Sequence, residues 1–523
     1  MKRETARRKP KTEKPKKPDR QKRPRRAAKA PAPFAEYLAA RTEEERAALA
    51  RFMLELARHV SLPKKDREQL CRDFENALLY YHAAGVPLDL ALEKLDPKNL
   101  GGFYIRPPVL WYALDDAAKI YPLSMKHGQM AVFRLSARMD GPVVPELLQI
   151  ALAFTIKRFP SFATTVKKGF FWHYLDTTRR RYAVEPETEA PCRPLPISQS
   201  GSQSFRVLYY GDRISVEYFH SLTDGTGGMV FLKTLLAVYL RLLGVWVPEG
   251  EGIWDVNGTP EPGETANEFP KAAAAGKASG FTGKAAVQMS GRVSHTKPCR
   301  VLHFKLDAAQ LAAAAREKGV TVTAYVLGLL FLAGKYATEE RDGDLHIQVP
   351  VNMRKFYPSD TVRNFSLYCG VRLPLGGITE LDDILPEISR QLQEKGSKAA
   401  MGEMLNATAR LVGSVRYVPL FIKVPVAGVI YGFLGDKLFS NTLSNLGVVT
   451  LPPEMAEHVR SLEFVLGTLL TNRVGCTLVT LGNTATLTVC KLTADPSFEE
   501  RLLELLQAAG FAPEVEGSDL YAD

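Results

Sequence analysis

Nowhere in the 523 residues is there an uninterrupted apolar run of about 20, so a polytopic membrane protein is not expected. Cysteine is scarce. Cys71, Cys192, Cys299, Cys369, Cys476 and Cys490 are widely spaced and include no C-x-x-C pair. That excludes a dense disulfide framework and fits reduced, mostly buried thiols in a cytoplasmic protein. No apolar segment with a small-residue cleavage pattern opens the chain, so no secretory signal is expected. Acidic residues are sparse only at the start. Residues 1–31 hold 15 Lys/Arg against Glu4, Glu13 and Asp19. The net charge of +11 belongs to this tail, because residues 32–523 hold 53 basic and 54 acidic groups. The body therefore has no global bias toward nucleic acid. The tail also lacks large apolar side chains, cannot bury enough surface to offset its ordering entropy, and is expected to be disordered. Its candidate partners are nucleic acid or an anionic membrane surface; the alternative is a solubilising extension.

What is present is ordinary globular composition, 46% hydrophobic and 24% charged, enough for a large core. Residues 32–106 are expected to be a helical extension. Thr42 and Glu45 form a capping box ahead of Leu49, Phe52 and Leu56, and Pro63 opens a second helix carrying Leu70, Phe74 and Leu78. From about residue 109 the pattern turns mixed α/β. Residues 131–139 alternate Ala131, Phe133, Leu135 and Ala137 as a half-buried strand does. Pro145 starts a helix. Gly211-Asp212 and Gly482-Asn483 each join two β-rich runs into a tight hairpin. Residues 246–298 are rich in Gly, Pro, Ala and Glu and read as a crossover linker between halves 107–245 and 299–523. The apolar run 417–435 contains Lys423, Pro419 and Pro425 and reads as a buried or groove-lining helix, with contact to an acyl chain or bilayer surface as the alternative. His295, Cys299 and His303 stand four apart, but Pro298 and the strand-like run after it spoil a shared face, so no metal is expected.

The chemistry concentrates in Phe219-His220-Ser221-Leu222-Thr223-Asp224-Gly225-Thr226-Gly227-Gly228. A histidine at a strand end is held in place, and its neutral imidazole accepts a proton near neutral pH. Asp224 lies in the following turn, where a carboxylate braces the loop. Gly225, Gly227 and Gly228 are expected to let the backbone bend and a ligand approach.

This segment resembles the H-x-x-x-D-G signature of the acyltransferase superfamily built on the chloramphenicol acetyltransferase fold, which includes alcohol acetyltransferases, plant BAHD enzymes, wax ester synthases and peptide-synthetase condensation domains. The resemblance spans roughly 110–510. It extends to Val351-Asn352-Met353-Arg354-Lys355-Phe356-Tyr357-Pro358 with Arg363-Asn364-Phe365 downstream, and to Leu443-Ser444-Asn445-Leu446-Gly447. It implies two α/β subdomains in a pseudo-dimeric arrangement, with a tunnel between them. It also implies His220 as general base, Asp224 paired with Arg354 in a structural role, and Ser444 and Asn445 as oxyanion or channel residues. The implied reaction moves an acyl group, acetyl foremost, from acyl-CoA as co-substrate to an alcohol or amine in a ternary complex, with no bound cofactor and no metal. Phe219 stands where condensation domains and wax ester synthases carry a second histidine, and the Asp-Phe-Gly-Trp-Gly loop of the plant enzymes is absent. The bacterial alcohol acetyltransferase branch is therefore the most similar. The alternatives are a condensation-like enzyme using carrier-protein thioesters, and a non-catalytic scaffold. Lys167, Lys168 and Arg179–Arg181 are weak candidates for CoA phosphates, more simply read as solvated charges.

Overall fold

The computed structural model describes residues 33–518 apart from 106, 108, 124, 126–129, 198–202, 274–275, 279–283, 294–299, 431–437 and 468–472. The basic tail, His295 and Cys299 lie outside the described residues. Four helices come first: α1 (Pro33–Ala39), α2 (Glu43–His59), α3 (Lys64–Ala83) and α4 (Leu88–Lys94). The capping box at the start of α2 is present. Thr42 Oγ1 accepts from Glu45 N at 3.2 Å, and Glu45 Oε2 accepts from Thr42 N at 2.9 Å. These helices share the core of the adjoining α/β half and are not simply appended to it. Phe74 meets Phe154 with ring centroids 6.2 Å apart, Asp73 accepts twice from Arg181, and Tyr81 Oη donates to Leu242 O at 2.8 Å.

The next segment runs β1 (Trp111–Ala113), β2 (Val132–Met139), α5 (Pro145–Ile156), β3 (Thr164–Lys168), β4 (His173–Thr177), β5 (Val184–Pro186), β6 (Phe205–Tyr210), β7 (Arg213–Phe219) and α6 (Gly225–Leu243). Gly211 takes φ +56° in the β6–β7 turn, where a side chain would be strained. The strand β2 is buried on both faces, not one. Its polar side is covered because it has partners: Arg134 pairs with Glu217 and Glu187, and Ser136 Oγ lies 2.9 Å from Ser215 Oγ. Alternating polarity therefore misreads a central strand whose polar residues are satisfied internally.

The linker carries α7 (Phe269–Ala272), and the second half holds β8 (Arg300–Asp307), α8 (Ala308–Glu317), α9 (Val322–Tyr336), β9 (Asp344–Asn352), β10 (Ser366–Pro374), α10 (Leu381–Lys395), α11 (Lys398–Ser414) and α12 (Leu420–Ile430). It ends with β11 (Asn441–Val449), α13 (Pro453–Ala456), β12 (Val459–Leu466), β13 (Val474–Leu481), β14 (Thr484–Lys491), α14 (Ser497–Ala508) and β15 (Glu514–Gly517). The described residues form a seven-stranded sheet, β10-β9-β11-β13-β14-β8-β15, a five-stranded sheet, β12-β2-β7-β6-β5, and a small sheet, β1-β4-β3. Thus β12, late in the chain, is an edge strand of the first half's sheet, antiparallel to β2 with Phe464 opposite Leu135. The buried apolar side chains divide into two clusters accordingly.

The Gly/Pro-rich stretch between the halves is more than a connection. Glu264 accepts from both terminal nitrogens of Arg158 at 2.5 Å, Arg158 lies over the Trp254 ring, and Phe269 is fully buried. The run 417–426 also departs from expectation. Only Leu420 and Lys423 within it are buried, whereas Tyr417, Phe421, Ile422, Val424 and Val426 are exposed. Hydropathy reports composition, not whether an element is available to cover it. Among the described residues, the single helix long and apolar enough to cross a membrane is α6, and it lies mostly inside the first core.

Candidate active site

The strand β7 delivers His220 to the seam between the halves. Its backbone N donates to Ala131 O at 2.8 Å, extending the β2–β7 ladder by one bond and fixing the main chain. Tyr121 stacks on the imidazole with centroids 4.6 Å apart, and Phe133 meets it edge-on at 5.2 Å. From the other half, Asn364 Nδ2 lies 3.0 Å from His220 Nδ1 and donates to His220 O at 2.9 Å. The Asn364 oxygen accepts from Ser366 N and Oγ, which sets the amide orientation. Base action needs a free ring lone pair: with the proton on Nδ1 and the residue's own carbonyl, which Asn364 also meets, as its acceptor, Nε2 is left open. Asn364 therefore holds the ring edge and the carbonyl of His220 together.

Burial is the largest influence on His220 and lowers its pKa. Its own carbonyl, the Asp224 charge and the Thr223 carbonyl pull the other way by favouring the imidazolium. Burial thus favours the neutral ring, and acceptors stand near for the protonated form. The residue is partly open to solvent. This is the environment a general base needs.

Asp224 caps α6 and holds the halves together. Its Oδ1 accepts from Gly227 N at 3.0 Å; its Oδ2 accepts from Arg354 Nη1 at 2.7 Å and from Phe365 N at 2.8 Å. Arg354 spends its other donors nearby: Nε and Nη2 on Thr361 O, and Nη2 on Arg363 O at 2.7 Å. The pair expected from the sequence is brought together, and it clamps the 361–365 segment against the start of α6.

The glycines act differently from expectation. None of Gly225, Gly227 and Gly228 has a positive φ. They sit in the first turn of α6, where a side chain would collide with the protein itself. A Cβ on Gly227 would lie 2.0 Å from Val362 O, and one on Gly225 would lie 2.7 Å from Leu446 Cδ2. Their purpose is close approach of two segments, not bending or ligand room.

Ser444 and Asn445 lie on β11, beside Leu446. The Asn445 side chain is committed to the strand: Nδ2 donates to Thr323 Oγ1 at 3.0 Å and Oδ1 accepts from Gly447 N at 2.7 Å across a β-bulge. Ser444 is partly exposed two residues before the leucine that covers Gly225. Most of the basic candidates have protein partners: Lys167 with Asp176, Arg181 with Asp73, Arg180 near Asp66, and Arg179 with Ile105 O, while Lys168 is exposed. His303, the one described member of the His/Cys triplet, lies 2.8 Å from Thr488 Oγ1 and close to Glu463.

Three participants carry no local sequence signal. Tyr121 and Phe133 enclose the imidazole. Asp115, fully buried, accepts from Asn364 N at 3.2 Å and pairs with Arg363 at 3.2 Å. Burial raises the Asp115 pKa to about 6, opposed by Arg363. Asn364 itself belongs to a motif in the sequence, but its contact with the ring does not follow from that motif.

No family model matches the chain, and no curated protein matches its sequence. Solved structures do match its shape. The TRI3 trichothecene 15-O-acetyltransferase from Fusarium sporotrichioides is similar at TM-score 0.51 and 14% identity, covering 76% of this chain and 94% of that one. The first condensation domain of the calcium-dependent antibiotic synthetase is similar at TM-score 0.52 and 12% identity, covering 77% and 96%. The starter condensation domain of rhizomide synthetase, in complex with C8-CoA and Leu-SNAC, is similar at TM-score 0.51 and 11% identity, covering 77% and 95%. The chain thus has the two-subdomain α/β fold of these acyltransferases and condensation domains.

Proposed function

We propose that the protein transfers an acyl group from a CoA thioester to a hydroxyl or amine acceptor, with His220 as the general base. The observation that carries this reading is a partly open imidazole held by Tyr121, Phe133 and Asn364 at the seam of the two halves. The acceptor's O–H or N–H gives its proton to the imidazole as the oxygen or nitrogen attacks the thioester carbonyl carbon. Collapse of the tetrahedral adduct breaks the C–S bond, and the imidazolium returns the proton to the departing CoA sulfur. Donor and acceptor are both bound before transfer; the motif's own serine, Ser221, is fully buried with its Oγ 3.4 Å from Ala118 O, and is not placed as a nucleophile. Ser444 is the better remaining candidate for the oxyanion side, because Asn445 is occupied by the β-bulge. General-base assistance of this kind is worth about 10²–10⁴-fold. Phe219 in place of a second histidine favours this reading over carrier-protein condensation.

The test is acceptor-dependent release of free thiol from acetyl-CoA and longer acyl-CoAs, with a panel of alcohols and amines and with His220→Ala in parallel. Release that vanishes in the variant supports the reading. Equal release by both proteins would remove His220 as the base.

A further inference from the structure

The unburied helix α12 does not stand alone. Leu420 N donates to Phe170 O at 2.8 Å, and Lys423 Nζ donates to Phe171 O at 2.8 Å while lying 3.4 Å from the centre of the Trp172 ring. The start of α12 is thereby fastened to the tip of the β3–β4 hairpin, some 250 residues away in sequence. The joined surface is apolar and open: Phe170 is 67% exposed, Tyr417 72% and Phe421 71%, with Ile422, Val424 and Val426 continuing it. Monomeric soluble proteins rarely leave such a contiguous face uncovered without a partner.

The charges around it identify the partner. Near it in the chain stand Lys167, Lys168, Arg410, Arg416 and Lys423, of which Lys167 is paired with Asp176 and Lys423 is buried. Lys168, Arg410 and Arg416 are exposed. Exposed aromatics and aliphatics rimmed by cations match the boundary between acyl chains and anionic headgroups. A helix of 11 residues is about 16 Å long, about half the thickness of a bilayer's hydrocarbon core, so it lies in the interface and does not span it. We propose that α12 and the 170–171 tip dock the protein on an anionic membrane surface.

The face adjoins the candidate site. Lys119 lies 5.5 Å from the centre of the same Trp172 ring, and its turn, Ala117–Ile120, leads directly into Tyr121, the residue stacked on His220. Docking would bring the Ala117–Ile120 turn near the bilayer. The docking itself does not depend on acyl transfer.

The experiment is co-sedimentation of the full chain with vesicles of phosphatidylcholine alone and of phosphatidylcholine with 30% phosphatidylserine, at about 0.15 and 0.5 M NaCl. The variants are Phe170→Ser/Tyr417→Ser/Phe421→Ser and Lys168→Glu/Arg416→Glu, each checked for unchanged thermal unfolding, which substitution at exposed positions preserves. The wild type is expected to bind the anionic vesicles and to keep part of that binding at high salt. The triple variant should lose at least about tenfold in apparent affinity at both salts. The charge variant should lose binding to the anionic vesicles at low salt. Binding unaffected by the triple variant would assign it to the basic tail and overturn the proposal. So would absence of wild-type binding, or a triple variant that only converts a dimer to a monomer, which would make the face a contact between copies.

Discussion

Asn364 reaches across the seam and places its amide nitrogen 3.0 Å from Nδ1 of His220 and 2.9 Å from the same residue's carbonyl oxygen. One side chain from the second half thus holds both the ring and the main chain of a histidine from the first. Asn364→Ala should lower kcat by about 10- to 100-fold, the equivalent of losing about 1–3 kcal/mol of hydrogen bonding, with KM little changed. Steady-state kinetics across pH check this. A merely structural role would lower the amount of folded enzyme and leave the pH profile where it was, whereas loss of the contact with the ring moves the profile.

The pH dependence has a defined direction. Burial lowers the His220 pKa, so the acidic limb of kcat/KM is expected below the ordinary histidine value of about 6.5. Above that limb the base is in its active form. The unfolded chain binds this proton more readily than the folded one. The stability contribution is therefore full above the unfolded value and is lost as pH falls through the unfolded value toward the folded one. Denaturant titrations of wild type and His220→Gln across the acid range should converge toward low pH.

Gly227→Ala should destabilise the fold by about 3 kcal/mol, because the new Cβ meets a backbone carbonyl, Val362 O, that cannot rotate away. Gly263→Ala, whose Cβ would meet nothing within 4 Å, is the control and should be near neutral. Thermal or denaturant unfolding of the two variants distinguishes steric fit from general glycine chemistry.

Arg354→Ala should cost about 3–5 kcal/mol, the usual effect of leaving one member of a buried ion pair alone. Arg354→Lys should recover little, since an ammonium cannot reproduce a planar group that reaches Asp224, Thr361 and Arg363 together. Asp224→Asn/Arg354→Ala should be less destabilised than the sum of the single changes. Urea unfolding of the set gives the coupling.

The sequence shows some of this directly. Turn pairs such as Gly211-Asp212 announce hairpins because the signal is local, and His220, Asp224 and Arg354 stand out because the chemistry demands those residue types at those spacings. Other features are not local. Asn364 meets His220 across 144 positions, and Asp115 meets Arg363 and Asn364 across about 250. Contacts over such separations leave no periodicity. The polar face of β2 reads as solvent-exposed because Glu217 and Ser215, its partners, belong to another strand. The apolar face of α12 reads as buried for the converse reason, since nothing in its own composition reports whether a neighbour exists.

The pairing of β12 with β2 also has a consequence for biosynthesis. Residues 459–466 emerge from the ribosome more than three hundred residues after the strand they flank. Until then, one side of β2 presents unsatisfied N–H and C=O groups at the edge of an otherwise formed sheet. The nascent first half therefore waits, with an open edge able to recruit a wrong strand, for more than half the length of translation. Cutting the gene between the two halves would make that temporary state permanent in the N-terminal fragment.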